Sequence, residues 1–332
     1  MANDIRPQLT IIVDTEEEFD WQSFSRNQRA VKNIQEQQRA HEIFDPLQAV
    51  PTYVIDQAVV DDDKASDTLN KLYQSGACEI GAHLHSWLTP PYEEELTPFL
   101  SYQGNLPRNL EQAKINALTR SITDRFGKQP KIFKAGRYGI GPNSYELLAK
   151  AGYEIDCSIV PHTSYKSTGG PNFLYHSPAP HQIRDHLLSI PLTRSFIGPL
   201  AFMGPYLSRM AVFDHPLAKK LKLPGILNRS GLLSRITLTP EGVPEDVQKK
   251  LLTAMYKKGT RYFSLAYHSS SLMVGGSPYS QTKEDRDVIL KRLQSVLTYF
   301  KRELGGICVT PTTMHKTIKA QSPHQSKGQY HD

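Results

Sequence analysis

Short apolar runs alternate with helical periodicity seven or eight times along this chain, and several of the runs carry a charged or imidazole side chain at or near their carboxyl ends. The runs begin with Leu9–Val13 and Pro51–Asp56. They continue through Cys78–His85, Lys131–Ala135, Tyr153–Ser158, Leu187–Thr193, Arg261–His268 and Ile307–Thr310. Between them, helical spacing of apolar residues predicts helices over 26–49, 61–76, 109–127, 145–151, 245–258 and 281–304. A continuous apolar run of four or five residues reads as a strand buried on both faces, as in a parallel sheet. Strands that alternate with helices in this way argue for an α/β fold with parallel strands, most simply a barrel. One domain over 1–315 is expected, with Gly- and Pro-broken residues 196–236 as an irregular insertion. The tail 316–332 lacks apolar periodicity and is expected to be disordered.

Several classes of function are disfavoured by composition. The 332 residues are 39% hydrophobic and 22% charged, ordinary for a globular protein. The formal net charge of +6 comes from basic residues that are spread along the chain, apart from pairs such as Lys219-Lys220. A nucleic-acid partner would call for a denser patch interleaved with aromatics, so none is expected. The three cysteines, Cys78, Cys157 and Cys308, are widely spaced, which fits neither a disulfide framework nor a zinc ribbon and points to a reducing compartment. The N-terminus has no apolar export segment and no stretch is long enough to span a membrane, so a soluble cytoplasmic protein is expected. Nothing in the sequence indicates an oligomeric state.

The chemistry concentrates at strand ends. In Val13-Asp14-Thr15-Glu16 alternation turns both acids to one side. Together they could hold a metal and move a proton. His83 and His85 likewise share a side, at a separation that one metal can bridge. Two nitrogens and a carboxylate leave coordination positions open, as in catalytic rather than structural zinc sites. Arg137, Asp156 and His268 end three further strands. In a barrel all these ends share one face, so the groups could converge. Trp87 and Tyr92 read as packing and pocket wall.

These motifs, taken in order, resemble the polysaccharide deacetylase family of carbohydrate esterases, also called the NodB-homology domain (carbohydrate esterase family 4). Val13-Asp14-Thr15-Glu16 is similar to its first motif and Glu79-Ile80-Gly81-Ala82-His83 to its second. Gly136-Arg137-Tyr138-Gly139 resembles the third, Asp156–Pro161 the fourth and Leu265-Ala266-Tyr267-His268 the fifth. The stretches VDTEEEFDW, EIGAHLHSW and YHSSSL are most similar to a WalW-like subgroup associated with bacterial surface-polysaccharide or lipopolysaccharide biosynthesis. The resemblance implies a distorted (β/α)7-type barrel and a metal-dependent N-deacetylase acting on an amino-sugar glycan, its precursor or a related small amide. It implies a divalent metal, Zn²⁺ by preference, held by Glu16, His83 and His85. Asp14 would be the catalytic base, His268 the general acid, Arg137 the group that orients the base, and Asp156 an acid tuning that arginine or the general acid. Trp87 and Tyr138 would line the substrate site. The family's usual second histidine falls at Trp87, which cannot ligate, so His85 takes that role; Glu17 or Glu18 could replace Glu16. Two other readings are a metal-free glycan-binding or scaffolding protein on the same fold, and another metal-dependent amide hydrolase.

Overall fold

The computed structural model describes residues 5–18, 24–184, 186–210, 212–213, 220, 225 and 229–321. Seven of its strands lie parallel along one curled sheet. They are β1 (Gln8–Thr15), β2 (Thr52–Ile55), β3 (Glu79–Leu84), β4 (Ile132–Ala135), β5 (Ile155–Asp156), β7 (Leu187–Ser189) and β10 (Tyr262–His268). β6 (His181–Arg184) adds an antiparallel edge, and the order is β10-β1-β2-β3-β4-β5-β7-β6. β11 (Ile307–Cys308) pairs with the first residues of β1, before β2 takes over the same edge. The ring closes without a regular ladder. After β7, Leu192 N donates to Ile159 O, and Thr193 N to Ser264 O of β10. This is the barrel expected from the alternation of strands and helices, in the distorted form that the resemblance implies.

Strand alternation sorts the core into two layers. Leu9, Ile11 and Val13 of β1 face the surrounding helices, as do Tyr53, Ala82 and Phe133 of the neighbouring strands. Ile12, Val54, Ile132, Ile155 and Ala266 face inward and pack together. The same inward parity carries Asp14, His83, Lys134 and His268 at the carboxyl ends of the strands. The fold therefore delivers these polar groups to one rim above an apolar floor.

The floor is sealed by the helix Pro311–Gln321, whose Met314 is fully buried against the inward layer. Burying such a side chain contributes about 1.5–3 kcal/mol. The expected disorder from residue 316 is therefore corrected as far as Gln321. Met314 and Ile318 form a two-residue stripe too short to register as periodicity. Residues 322–332 lie outside the described residues.

Several of the helix boundaries follow from their caps. The Asp62 side chain accepts from Ala65 N to start Asp63–Gln74, and Gly127, at φ 72°, ends Arg108–Phe126. Thr282 and Asp285 form a capping box for Lys283–Arg302. Two elements are shorter than expected. The helix over 26–49 reduces to a 3-10 turn at Lys32–Gln37 and the helix Gln38–Phe44, and the strand over 153–158 keeps two paired residues. The insertion contains the hairpin β8 (Arg194–Ile197) and β9 (Ser234–Thr237) and the short helix Gly204–Arg209. Among the described residues, no helix is long and apolar enough to cross a membrane.

Candidate metal centre and acid–base pair

His83 is the penultimate residue of β3 and His85 follows the strand, both buried. Each ring has its Nδ1 committed. That of His83 lies 3.1 Å from the carbonyl of Lys134, and that of His85 lies 2.8 Å from Glu17 Oε2. These acceptors fix the proton on Nδ1, so both Nε2 lone pairs point the other way. Both converge on Glu16 Oε2, at 3.3 and 3.2 Å. Three lone pairs meeting at one buried point repel unless a positive charge lies among them. Ligands about 2.1 Å from a tetrahedral ion stand about 3.4 Å apart, close to the observed spacing. Glu16 Oε1 is buried without a hydrogen-bond partner, which leaves it free for a cation. Glu16, His83 and His85 thus fit a divalent metal.

The electrostatics point the same way. Burial opposes ionisation of Glu16. The charge of His268 and the close contacts with His83 and His85 outweigh it and hold the carboxyl well below the usual range. Burial opposes a charge on His85 too, yet the carboxylates of Glu17 and Glu16 hold its pKa well above the usual value. Glu16 and His85 thus favour positive charge in the cluster, while burial lowers the pKa of His83.

Outside the ligands lies a supporting layer. Glu17 Oε1 accepts from the Trp87 indole at 3.0 Å, and Trp87 stacks on His85 with ring centroids 4.2 Å apart. Asp56 caps the helix Gln57–Asp61 through Val59 N and accepts from Glu17 N. Burial and the nearby Glu17 push its carboxyl well above the usual range. Glu18 is drawn away and accepts from Asn33 N. Of the three candidate glutamates, only Glu16 faces the histidine nitrogens, and Glu17 orients one of them.

Asp14 lies on the same rim. Lys134, itself buried, reaches across the interior from β4 and donates to both carboxylate oxygens of Asp14 at 2.5 Å. His268 is the register partner of Asp14 on the adjacent strand, and its Nε2 lies 3.7 Å from Asp14 Oδ2. The other ring nitrogen is held by Glu241 at 3.0 Å, and Glu241 also accepts from His268 N and from Ser271. Burial works against a charged His268, but Glu241 foremost, then Glu16 and Asp14, raise its pKa to about 9. A cleft of about 240 Å³ opens here, lined by Asp14, Tyr138, Thr237, Glu241, His268 and Tyr279. A carboxylate and a protonated imidazole thus face one cavity with opposite proton-transfer capabilities.

Three residues expected at this site stand elsewhere. Arg137 does not reach Asp14. It and Tyr138 adopt left-handed backbone angles, φ 55° and 58°, and the turn carries the guanidinium outward onto Pro98 O and Ser101. There it stacks on Tyr102 and Phe24. The contact expected of Arg137 is made by Lys134. Asp156 is in register with Phe133 on the helix-facing side of the sheet, where its Oδ1 accepts from Ser158. Ser158 in turn accepts from Ala135 N, so Asp156 steadies the end of β4 and touches neither Arg137 nor His268. Trp87 is wholly buried behind His85 and does not line the cleft, whereas Tyr138 does. The sequence reading missed Lys134 and Glu241.

No protein-family model matches the chain, and no curated protein matches it in sequence. Among solved structures the fold recurs. A Mycobacterium smegmatis protein provisionally described as a polysaccharide deacetylase superposes with a TM-score of 0.57 at 12% identity, covering 100% of this chain and 96% of its own. The Puue allantoinase gives 0.56 at 14% identity, covering 98% and 94%. A probable polysaccharide deacetylase of Pseudomonas aeruginosa PAO1 gives 0.53 at 12% identity, covering 98% and 95%. The chain has the barrel fold of these hydrolases.

Proposed function

We propose that this chain is a metal-dependent N-deacetylase that hydrolyses the acetamide of an amino sugar in a bacterial surface glycan or its precursor. The observation that carries the reading is the pairing of Asp14 and His268 across one cleft beside the lone-pair cluster of Glu16, His83 and His85. The resemblance of the five motifs to polysaccharide deacetylases supports it, with the WalW-like subgroup as the narrower assignment. A divalent cation, Zn²⁺ by the nitrogen-rich donor set, supplies Lewis acidity and lowers the pKa of water toward about 7.

The residues of the chain do the rest. Asp14, held by Lys134 through both carboxylate oxygens, accepts the proton of the attacking water. The water oxygen bonds to the acyl carbon and the carbon–nitrogen bond breaks. His268 Nε2 delivers its proton to the leaving amine, which could not depart as an anion. Glu241 holds the opposite nitrogen, so the donating atom faces the cleft. Acetate and a free amine are the products. Tyr138 and Tyr279 offer walls for a sugar ring.

About one Zn²⁺ per chain is expected in purified protein, lost together with acetate release from N-acetylhexosamine substrates in His83→Ala. Metal-replete protein without bound metal would instead favour the metal-free binder. The same acid and base could open a ring amide, so allantoin is the control substrate. Hydrolysis of allantoin but not of acetamido sugars would replace the reading.

A pH profile tests the acid. His268 works protonated, so activity is present below its pKa and is lost as pH rises through it. The alkaline limb of kcat/KM is expected at about 9, and Glu241→Gln is expected to move it down toward the ordinary histidine range. A limb that stays in place would assign the proton donor to another group.

A further inference from the structure

The net charge of the chain is concentrated in one stretch. Seven of the 39 lysines and arginines lie between Arg194 and Pro240, but only one of the 33 carboxylates, Asp214, does. The remaining residues carry 32 of each sign, so this stretch accounts for the whole formal charge of +6. It is also where apolar side chains meet solvent. Phe202 is 74% exposed, Tyr206 64% and Met210 59%, and Met203 and Leu232 are exposed beside them. Arg209, Lys220 and Arg229 of the same stretch are exposed, and among the described residues none of the three makes an ion pair with an acid.

The fold ties this surface to the cleft. β8 and β9 pair from Arg194 opposite Thr237, which lines the cleft, out to Ile197 opposite Ser234. Beyond that end Leu200 N donates to Leu232 O, which joins the two exposed segments. Phe196 packs with Phe213 and Leu233 beneath them, so the knob has a small core of its own. Ser208 donates to His162 O, fastening the helix Gly204–Arg209 to the barrel. Phe202, Tyr206 and Arg209 therefore stand on a supported projection whose hairpin runs out from the rim of the cleft.

We propose that this projection docks the protein on the surface of an anionic phospholipid bilayer, Phe202, Tyr206 and Met210 entering the headgroup boundary and Arg209, Lys220 and Arg229 meeting the lipid charge. Aromatic, Met and Leu side chains with exposed cations near them in sequence are the composition of interfacial membrane contacts, and the stretch 194–240 carries one acid among its 47 residues in sequence, a complementary charge. A soluble protein rarely exposes such a cluster without a use for it. Taken with the deacetylase reading, on which this step rests, the cleft would open toward lipid-anchored amino sugars.

Flotation of the full chain with vesicles tests the docking without reference to catalysis. Binding is expected to vesicles containing phosphatidylglycerol, to weaken at least tenfold on pure phosphatidylcholine, and to fall with added salt. Arg209→Glu with Arg229→Glu, and separately Phe202→Ser with Tyr206→Ser, are each expected to weaken it at least tenfold. Both pairs should keep the parental melting curve and the parental rate on a soluble amide. Asp14→Asn should bind vesicles as the parent does, so a failure of the deacetylase reading leaves this result standing. Equal affinity for both vesicles, no affinity for either, or variants that bind like the parent would overturn the proposal. So would a concentration-dependent dimer abolished by Phe202→Ser in a protein that ignores vesicles, which would assign the patch to a second copy of the chain.

Discussion

Lys134→Met is expected to destabilise the fold by about 3–5 kcal/mol, the usual cost of removing one partner of a buried ion pair. The ammonium is buried, lies 2.5 Å from both oxygens of Asp14, and sits 5.1 Å from the Tyr138 ring centroid. Methionine fills most of the space but leaves the Asp14 carboxylate buried, with His268 at 3.7 Å as its nearest remaining cation. Asp14→Asn alone should also destabilise, because it leaves the lysine without its counter-charge. The double variant should lose clearly less than the sum of the two, since neither charge is then left alone. Urea unfolding of the four proteins after metal depletion measures this directly. Additive losses would show that the two groups do not act as a pair, and the view of Lys134 as the keeper of the base would go with it.

Lys134 also shows where the sequence was legible and where it was not. Two-residue alternation is strong in the short buried strands. It put Asp14 and Glu16 on one side, His83 and His85 together, and His268 at the end of its strand, as the structure has them. The same rule marks Lys134, which follows Ile132 on the inward face of a four-residue strand buried throughout. A lysine there must find a counter-charge, because an unpaired buried cation is prohibitively costly. That signal was present in Ile-Phe-Lys-Ala and was passed over in favour of the nearby arginine. Arg137 was misplaced because two successive left-handed residues turn the chain outward, and neither Arg nor Tyr announces such a conformation in sequence.

Asp156 and Glu241 were hidden for different reasons. β5 has two paired residues, too few for alternation to tell inward from outward, so only its register with Phe133 settles the side. Glu241 stands in a loop between β9 and the helix Glu245–Lys257, 27 residues before the histidine it holds. No local pattern connects the two. The charge of the insertion, by contrast, was readable as a count. Spread over the whole chain it looks mild, and only its confinement to the stretch around one hairpin makes it informative.

Asp14→Asn is the substitution expected to affect activity most. Loss of a positioned general base lowers rates by about 10²–10⁴-fold. Asparagine keeps the size of the side chain and an oxygen for Lys134, but it cannot accept the water proton. The fall should therefore lie in kcat, with KM little changed, when rates are expressed per folded enzyme. Metal content should stay at the parental level, because Glu16, His83 and His85 are intact, whereas His83→Ala removes metal and activity together. The other carboxylates around the rim are already committed. Glu16 faces the histidine nitrogens, Glu17 holds His85 and Trp87, Asp56 caps a helix, and Glu241 holds His268 and Ser271. Among the described residues this leaves Asp14 as the carboxylate that lines the cleft with lone pairs to spare, since an ionised carboxylate accepts about four hydrogen bonds and Lys134 takes two. Full activity in Asp14→Asn would require Glu241 to release His268 and act as the base. The alkaline limb set by His268 would then shift in Asp14→Asn itself, which the pH profile of that variant would reveal.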